Sequence, residues 1–222
     1  MVAEDLAAPF AAGRVRAGAN EPHVTQSDSG DFQAIVFKNR GALLGIPAAL
    51  LAAFGKPSAF SVTVGLPLAI AGELIRCWAV GYSGVTTRED HVTAPELVTA
   101  GPYAYVRNPL YVGNFLTAAG FAIAFTGKNS ALRRAALIGG ALGTMAAVYG
   151  TIVPHEEAYL REQFGREFER YCANVPQFVP ALEPMADTRG TWKPDVIAKA
   201  ESNTFLTFGA MLATLALKAL KT

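Results

Sequence analysis

Charge is scarce in this chain. Asp, Glu, Lys and Arg make up 17% of its 222 residues, against roughly 25% in ordinary soluble domains. The net charge is +1, and no basic stripe marks any segment, so the electrostatic footprint of a nucleic-acid binder is missing. Cysteine is nearly absent. Cys77 and Cys172 lie far apart with no metal-type spacing, and both are expected to be reduced and structural. The three histidines, His23, His91 and His155, fit no ligand pattern such as H-E-x-x-H, so no metal is expected. A Gly-rich Rossmann fingerprint is also lacking. Residues 1–30 carry Glu4, Asp5, Arg14 and Arg16 and have no compact apolar core, so no signal peptide is expected.

What the chain has instead is apolar runs. Hydrophobic residues reach 51%, with 21 glycines, a composition suited to membrane helices in close contact. Uncharged or nearly uncharged stretches occupy residues 41–55, 59–81, 111–127, 135–153 and 204–217. The first is short of the roughly 20 residues a full span needs, and Pro47 would kink it. The second carries Glu73 and Arg76, three apart and so on one helix face. These two are either a mutually neutralising pair at the boundary or the polar wall of a cavity, since intramembrane charges face the bundle interior. In the fourth run, Gly139 and Gly143 have the small-xxx-small spacing of close helix contact. The expected fold is all-α: a polytopic membrane bundle of four to five helices.

The remaining segments frame that bundle. Residues 1–38 read as a polar, partly disordered arm with a short interfacial piece at 31–37. Residues 154–174 read as a new amphipathic helix. Pro154 suits a first helical position, Glu156 and Glu157 complement the positive end of the dipole, and Leu160, Phe164, Phe168 and Tyr171 form an apolar stripe. Residues 185–222 read as a linker and a short apolar helix that spans or lies in the interface. If the first four runs span, twelve of the nineteen Lys and Arg residues share one side, which makes that side cytoplasmic.

Two polar stretches fall on that same side: GPYAYVRNPLYVGN at 101–114 and His155-Glu156-Glu157. Proline at 109 holds Asn108 out of helix, just where the third run begins. A helix start with a fixed arginine, Arg107, is an anion site, although an interfacial arginine also serves simply to reach water or lipid phosphate. Tyr103, Tyr105 and Tyr111 suit either an interfacial belt or a flat ring. Arginine for a carboxylate, aromatics for a base, and carboxylates for hydroxyls or a cation together suit a zwitterionic nucleoside such as S-adenosylmethionine.

The succession GPYAYVRNPLY-x-G-N, two apolar runs, then HEEAYLREQFGREFERY resembles the isoprenylcysteine carboxyl methyltransferase and phospholipid methyltransferase group of integral membrane enzymes. Glu73-Leu-Ile-Arg76-Cys-Trp78 is similar to the group's Arg-x-Trp helix end. The resemblance covers residues 65–180. It implies S-adenosylmethionine-dependent methyl transfer to a lipophilic acceptor, either an isoprenylcysteine-type carboxylate or a lipid amine, by a membrane domain at 39–184. A cytoplasmic amphipathic helix would close the cofactor pocket. Carried over by position, the cofactor-binding residues would be Tyr103, Arg107, Asn108, Pro109, Leu110, Tyr111, Gly113, Glu156, Glu157 and Leu160. The catalytic candidates are Arg107, Arg76 and Glu73, with either arginine orienting an acceptor carboxylate. Many members carry histidine where this chain has Asn108, and asparagine takes up no proton near neutral pH. Two other readings stay open: a sterol-reductase-like enzyme using NADPH, and a membrane scaffold without chemistry.

Overall fold

The computed structural model describes residues 28–84 and 95–221, and all regular elements among them are helical. They are α1 (Asp28–Phe54), α2 (Ala59–Ser83), α3 (Pro109–Phe125), α4 (Ala131–Phe164), α5 (Arg166–Asn174), α6 (Ile197–Ala200) and α7 (Ser202–Leu220). Helices α2, α4 and α7 are long and apolar enough to cross a membrane, and α3 is a shorter apolar helix. Large apolar side chains such as Phe60, Leu132 and Leu206 stand exposed on them, as lipid-facing residues do. The expected arm at 1–38 falls outside the described residues as far as 27; from Asp28 onward it is already helix α1.

Two helix starts follow directly from local sequence. Ser58 and Ser61 cap α2 reciprocally, each hydroxyl accepting from the other's backbone N–H. The Ser61 hydroxyl also donates to the Ala124 carbonyl at 2.8 Å, which ties the start of α2 to the end of α3. Pro109 opens α3 at a position where its missing N–H costs nothing.

The tightest helix pair is α2 against α3, antiparallel, with glycine at the crossing points. A Cβ on Gly65 would lie 2.3 Å from the Gly120 carbonyl oxygen, and one on Gly72 would lie 2.5 Å from that of Gly113. The glycine contact expected at Gly139 and Gly143 does not occur: both face open space. Spacing alone cannot tell a packed glycine stripe from a lipid-facing one. Gly120→Ala is therefore expected to lower stability by about 1–3 kcal/mol, because the atoms in its way, Ala69 N and Gly65 O, belong to backbone and cannot yield. Gly139→Ala is expected to stay within about 0.5 kcal/mol of the parent. Thermal melts in detergent check both.

Helix α4 departs from expectation. It runs unbroken for 34 residues, with Pro154 inside it. At 1.5 Å per residue it is about 50 Å long, against a hydrocarbon thickness of about 30 Å, so one end projects from the bilayer. Pro154 removes a single hydrogen bond and crowds the carbonyl of residue 150, which here belongs to glycine. The face through Met145, Val148, Tyr149, Ile152 and Val153 stays buried against α1, and this packing carries the helix through the proline. The break comes instead at Gly165, whose φ of +48° is a left-handed conformation that favours glycine. Only then does α5 turn back, burying Phe168 and Tyr171 with Leu97 and Val175.

Irregular residues 175–193 form a strap over the polar end of the bundle. Ala181 N–H donates to Tyr105 O at 2.9 Å, Met185 N–H to Ala104 O at 3.0 Å, and Lys193 N–H to Gly81 O at 2.7 Å; the Arg189 carbonyl accepts from both Thr99 and Ala100. Residues 185–222, expected as a linker and short helix, are integrated into the bundle. Met211 and Leu215 of α7 share a core with Leu51, Phe121 and Phe125. Lys218 donates to the Ala53 and Gly55 carbonyls at the end of α1.

Candidate active site

The polar end is assembled around Arg107. The preceding turn depends on Gly101, with φ +62° and its Cβ direction filled by the Tyr82 ring, 2.1 Å from where that atom would sit. A short helical turn, Gly101–Ala104, then buries Pro102 and Ala104 and delivers Arg107 to Glu157. Arg107 Nε donates to Glu157 Oε1 at 3.0 Å and Nη2 to Oε2 at 3.3 Å. Its Nη1 donates to Val175 O at 2.8 Å and Cys172 O at 3.4 Å. The Asn108 amide donates to Glu157 Oε1 at 3.4 Å and Gln177 O at 3.2 Å. With side chains 15% and 12% exposed, the Arg107–Glu157 pair is shielded enough to count energetically, unlike an exposed pair. It fastens loop, α4 and strap to one another.

That finding changes how two expected ligand contacts are read. Arg107 and Asn108 spend their donors inside the protein. Glu156 differs from its neighbour: its Oε1 accepts from the Tyr111 hydroxyl at 2.7 Å. Tyr103 lies half-buried, and burial pushes its phenol up to about 12, so it stays protonated at neutral pH. Its carbonyl accepts from the Tyr171 hydroxyl at 2.8 Å. Burial likewise pushes the Cys172 thiol up, which keeps it unreactive. Pro109 is fully buried. Leu110 is half-buried in the first turn of α3. Gly113 faces α2, its Cβ direction filled by Arg76 Cγ at 2.7 Å, so it serves helix packing. Leu160 packs on the cluster of Phe168 and Tyr171.

A second polar cluster lies deeper, around Arg76. Its Nη2 donates to Glu201 at 2.9 and 2.8 Å and to the Thr204 hydroxyl at 3.4 Å. Its Nη1 donates to Asn114 Oδ1. The Asn114 amide donates in turn to the Tyr149 hydroxyl at 2.7 Å. Glu201 is 1% exposed. The sequence pointed to Arg76 and Glu73 but missed Glu201, Tyr149 and Thr204 as their neighbours. The available signals were faint: a carboxylate directly before an apolar run, and a tyrosine inside one.

Beside this cluster is a half-open cavity of about 190 Å³ whose lining includes Leu44, Ala48, Glu73, Asn114, Tyr149 and Thr204. A lipid-side hollow of about 380 Å³, bordered by Val112, Phe115, Leu116 and Phe178, meets the opposite side of Tyr149. Tyr111 packs on Tyr149 with ring centres 4.4 Å apart. The chain Glu156–Tyr111–Tyr149–Asn114–Arg76 thus joins the polar end to the buried cluster. Among the described residues, no group of three or more His, Cys, Asp or Glu converges on a metal-sized point.

A helical bundle with apolar spans, carrying a polar site at one end and a charged pocket within it, is an integral membrane protein. The phospholipid methyltransferase family profile matches residues 60–167, the stretch that supplies both clusters apart from α5, the strap and the start of α7. Protein-S-isoprenylcysteine O-methyltransferase B of Arabidopsis thaliana is 30% identical over 123 residues, covering 52% of this chain and 57% of that relative. A probable protein-S-isoprenylcysteine O-methyltransferase of Oryza sativa subsp. indica is 30% identical over 124 residues, 54% of this chain and 61% of that relative. The nickel-cobalt-cadmium resistance protein NccN of Alcaligenes xylosoxydans xylosoxydans is 31% identical over 125 residues, 56% of this chain and 52% of that relative. The chain therefore spans between about half and three fifths of the length of these relatives. No solved structure matches it. Residues 60–167 thus match the phospholipid methyltransferase family, and about half of the chain is similar to protein-S-isoprenylcysteine O-methyltransferases.

Proposed function

We propose that the protein transfers the methyl group of S-adenosylmethionine to a lipophilic acceptor, an isoprenylcysteine-type carboxylate or a lipid amine, at the cytoplasmic face of the membrane. The observation that carries this reading is the position of Tyr111. Its hydroxyl binds Glu156 at the polar end, while its ring packs on Tyr149, a wall of the intramembrane cavity. A soluble cofactor and a membrane-borne acceptor would meet at that junction. The orientation rests on the excess of Lys and Arg on the side that holds 107 and 157.

The residues fit the cofactor with altered roles. Glu156, with one oxygen held by Tyr111, supplies negative charge for ribose hydroxyls or for a positive centre. Tyr103 and Tyr105 offer aromatic faces to a base. Arg107, Asn108 and Glu157 build the wall that keeps these groups in place. When bound, S-adenosylmethionine supplies an electrophilic methyl group. The protein then has to align an acceptor with that methyl and exclude water, which is positioning catalysis. Asn108 takes no part in proton transfer, because its amide is not basic.

Calorimetry on the detergent-purified chain tests the cofactor assignment. S-adenosylhomocysteine should bind saturably and NADPH should not. NADPH binding alone would overturn the reading in favour of a reductase, and binding of neither would favour a scaffold.

A further inference from the structure

Glu73 is the one chemical group in the cavity that its surroundings leave unanswered. The residue is 8% exposed, and both of its carboxylate oxygens are buried without a hydrogen-bond partner. Among the described residues, the cation paired with it is Arg76, whose Nε stands 3.9 Å away and is itself without a hydrogen-bond partner. That distance is too long for a hydrogen bond. The Arg76 Nη groups are committed to Asn114 and Glu201, and Arg76 does not line the cavity, whereas Glu73 does. Buried polar atoms normally find partners, and a buried carboxylate without them is costly. A pocket that presents such a group suits a ligand that completes it.

The charge balance says which kind of ligand. One guanidinium, Arg76, faces two carboxylates, Glu201 at 2.8 Å and Glu73 at 3.9 Å. Among the described residues, no Lys, Arg or His lines the cavity; its polar lining is Glu73 with Asn114, Tyr149 and threonines, and the rest is apolar, including Leu44, Phe121, Met145 and Phe208. A carboxylate head placed there would meet Glu73 and no free cation. An amine or ammonium head would donate to Glu73 while its alkyl portion lay on the apolar wall. At about 190 Å³ the space exceeds a cavity of about 150 Å³ that admits benzene in another protein, so a small head with its first methylenes fits.

We propose that this cavity binds the head of the acceptor and selects a lipid amine over a carboxylate, with Glu73 as the residue that sets the choice. The inference rests on the methyl-transfer reading for the word acceptor. It runs against the carboxylate implied by the names of the isoprenylcysteine relatives.

The test uses the full chain in nanodiscs and two probes with the same tail, dodecylamine and dodecanoate, with binding measured on wild type and on Glu73→Gln so that partition into lipid cancels. A charge-assisted hydrogen bond is worth enough that dodecylamine should bind about tenfold more tightly to wild type than to Glu73→Gln. Dodecanoate should bind wild type less well than dodecylamine and gain on Glu73→Gln. Glutamine keeps the shape of the side chain and leaves the Arg76–Glu201 pair intact. The wild-type comparison of the two probes, each corrected for its partition into protein-free nanodiscs, stands even if that variant does not fold. Dodecanoate binding to wild type as tightly as dodecylamine would overturn the proposal, as would a Glu73→Gln protein that keeps its affinity for the amine. S-adenosylhomocysteine binding, measured in the same nanodiscs, separates the two claims. If it binds while dodecanoate is preferred, the methyl-transfer reading survives and the amine selection falls. If the amine is selected through Glu73 but no nucleoside binds, the cavity's selectivity stands and its role in methyl transfer falls.

Discussion

Arg76→Ala is expected to leave a protein that no longer holds α7 on the bundle. Arg76 is 11% and Glu201 1% exposed in their side chains, with Nη2 2.8 Å from Glu201 Oε2. Removing one member of such a pair leaves the other charge buried and uncompensated, at a cost of about 3–5 kcal/mol. Here the removal strands two carboxylates, Glu73 and Glu201, and also takes the donor from Asn114. Marginal stability of about 5–15 kcal/mol does not absorb that loss comfortably. The expected result is a large fall in melting temperature and in monodisperse yield from detergent. The double variant Arg76→Met with Glu201→Leu should recover only the part of the loss that belongs to Glu201, since replacing a buried pair by apolar residues of similar volume is often neutral while Glu73 stays without its cation. A single alanine variant that melts with the parent would show that α7 does not depend on the pair.

Arg107→Ala is expected to act on function more than on fold. The side chain makes contacts only at the polar end, with Glu157, Val175 and Cys172, while the helix cores lie elsewhere. Without it, loop 101–108 loses its fastening to α4 and to the strap. Two hydrogen bonds to a charged group, at about 1.5–3 kcal/mol each, correspond to a fall in methyl-transfer kcat/KM of at least about a hundredfold. Arg107→Lys should recover little, because one ammonium cannot serve a carboxylate and two carbonyls in the plane of a guanidinium. Steady-state kinetics beside a thermal melt checks this: the melt should fall as Glu157 loses its partner, and activity per folded protein should fall further still. A variant with full turnover would remove Arg107 from the site.

The elements that were legible in the sequence are those written in contiguous residues. The apolar runs at 59–81 and 111–127 became α2 and α3 nearly to the residue. The stretch 101–114 and Glu156-Glu157 do meet, through Arg107, Asn108 and Tyr111. What stayed hidden depends on partners distant in the chain. Pro154 has the local signature of a helix start, and only the burial of Val148, Ile152 and Val153 against α1 keeps α4 continuous through it. Gly139 and Gly143 carry the packing pattern, yet Gly65, Gly72, Gly113 and Gly120 do the packing. Glu201 lies 125 positions from Arg76, and nothing local to either residue announces the other. The sequence singled out Arg107 but not its partners: Glu157 and the Cys172 and Val175 carbonyls occupy the donors that a carboxylate ligand would have used.

The same partner logic separates the two glutamates of the Glu-Glu pair. Glu157 points into the scaffold and is matched by arginine at hydrogen-bond distance; Glu156 accepts from a tyrosine hydroxyl, with the Arg40 charge acting on it from further off. In the helix interior, Glu201 is matched and Glu73 is not.

Incubating the purified chain with methyl-labelled S-adenosylmethionine, a lipid extract and a panel of prenylcysteine analogues tests the central claim most directly. The account predicts label in an organic-extractable product, formed by the wild type and reduced at least about a hundredfold in Arg107→Ala. Folded wild-type protein that binds S-adenosylhomocysteine yet places no label in any lipophilic product would contradict it.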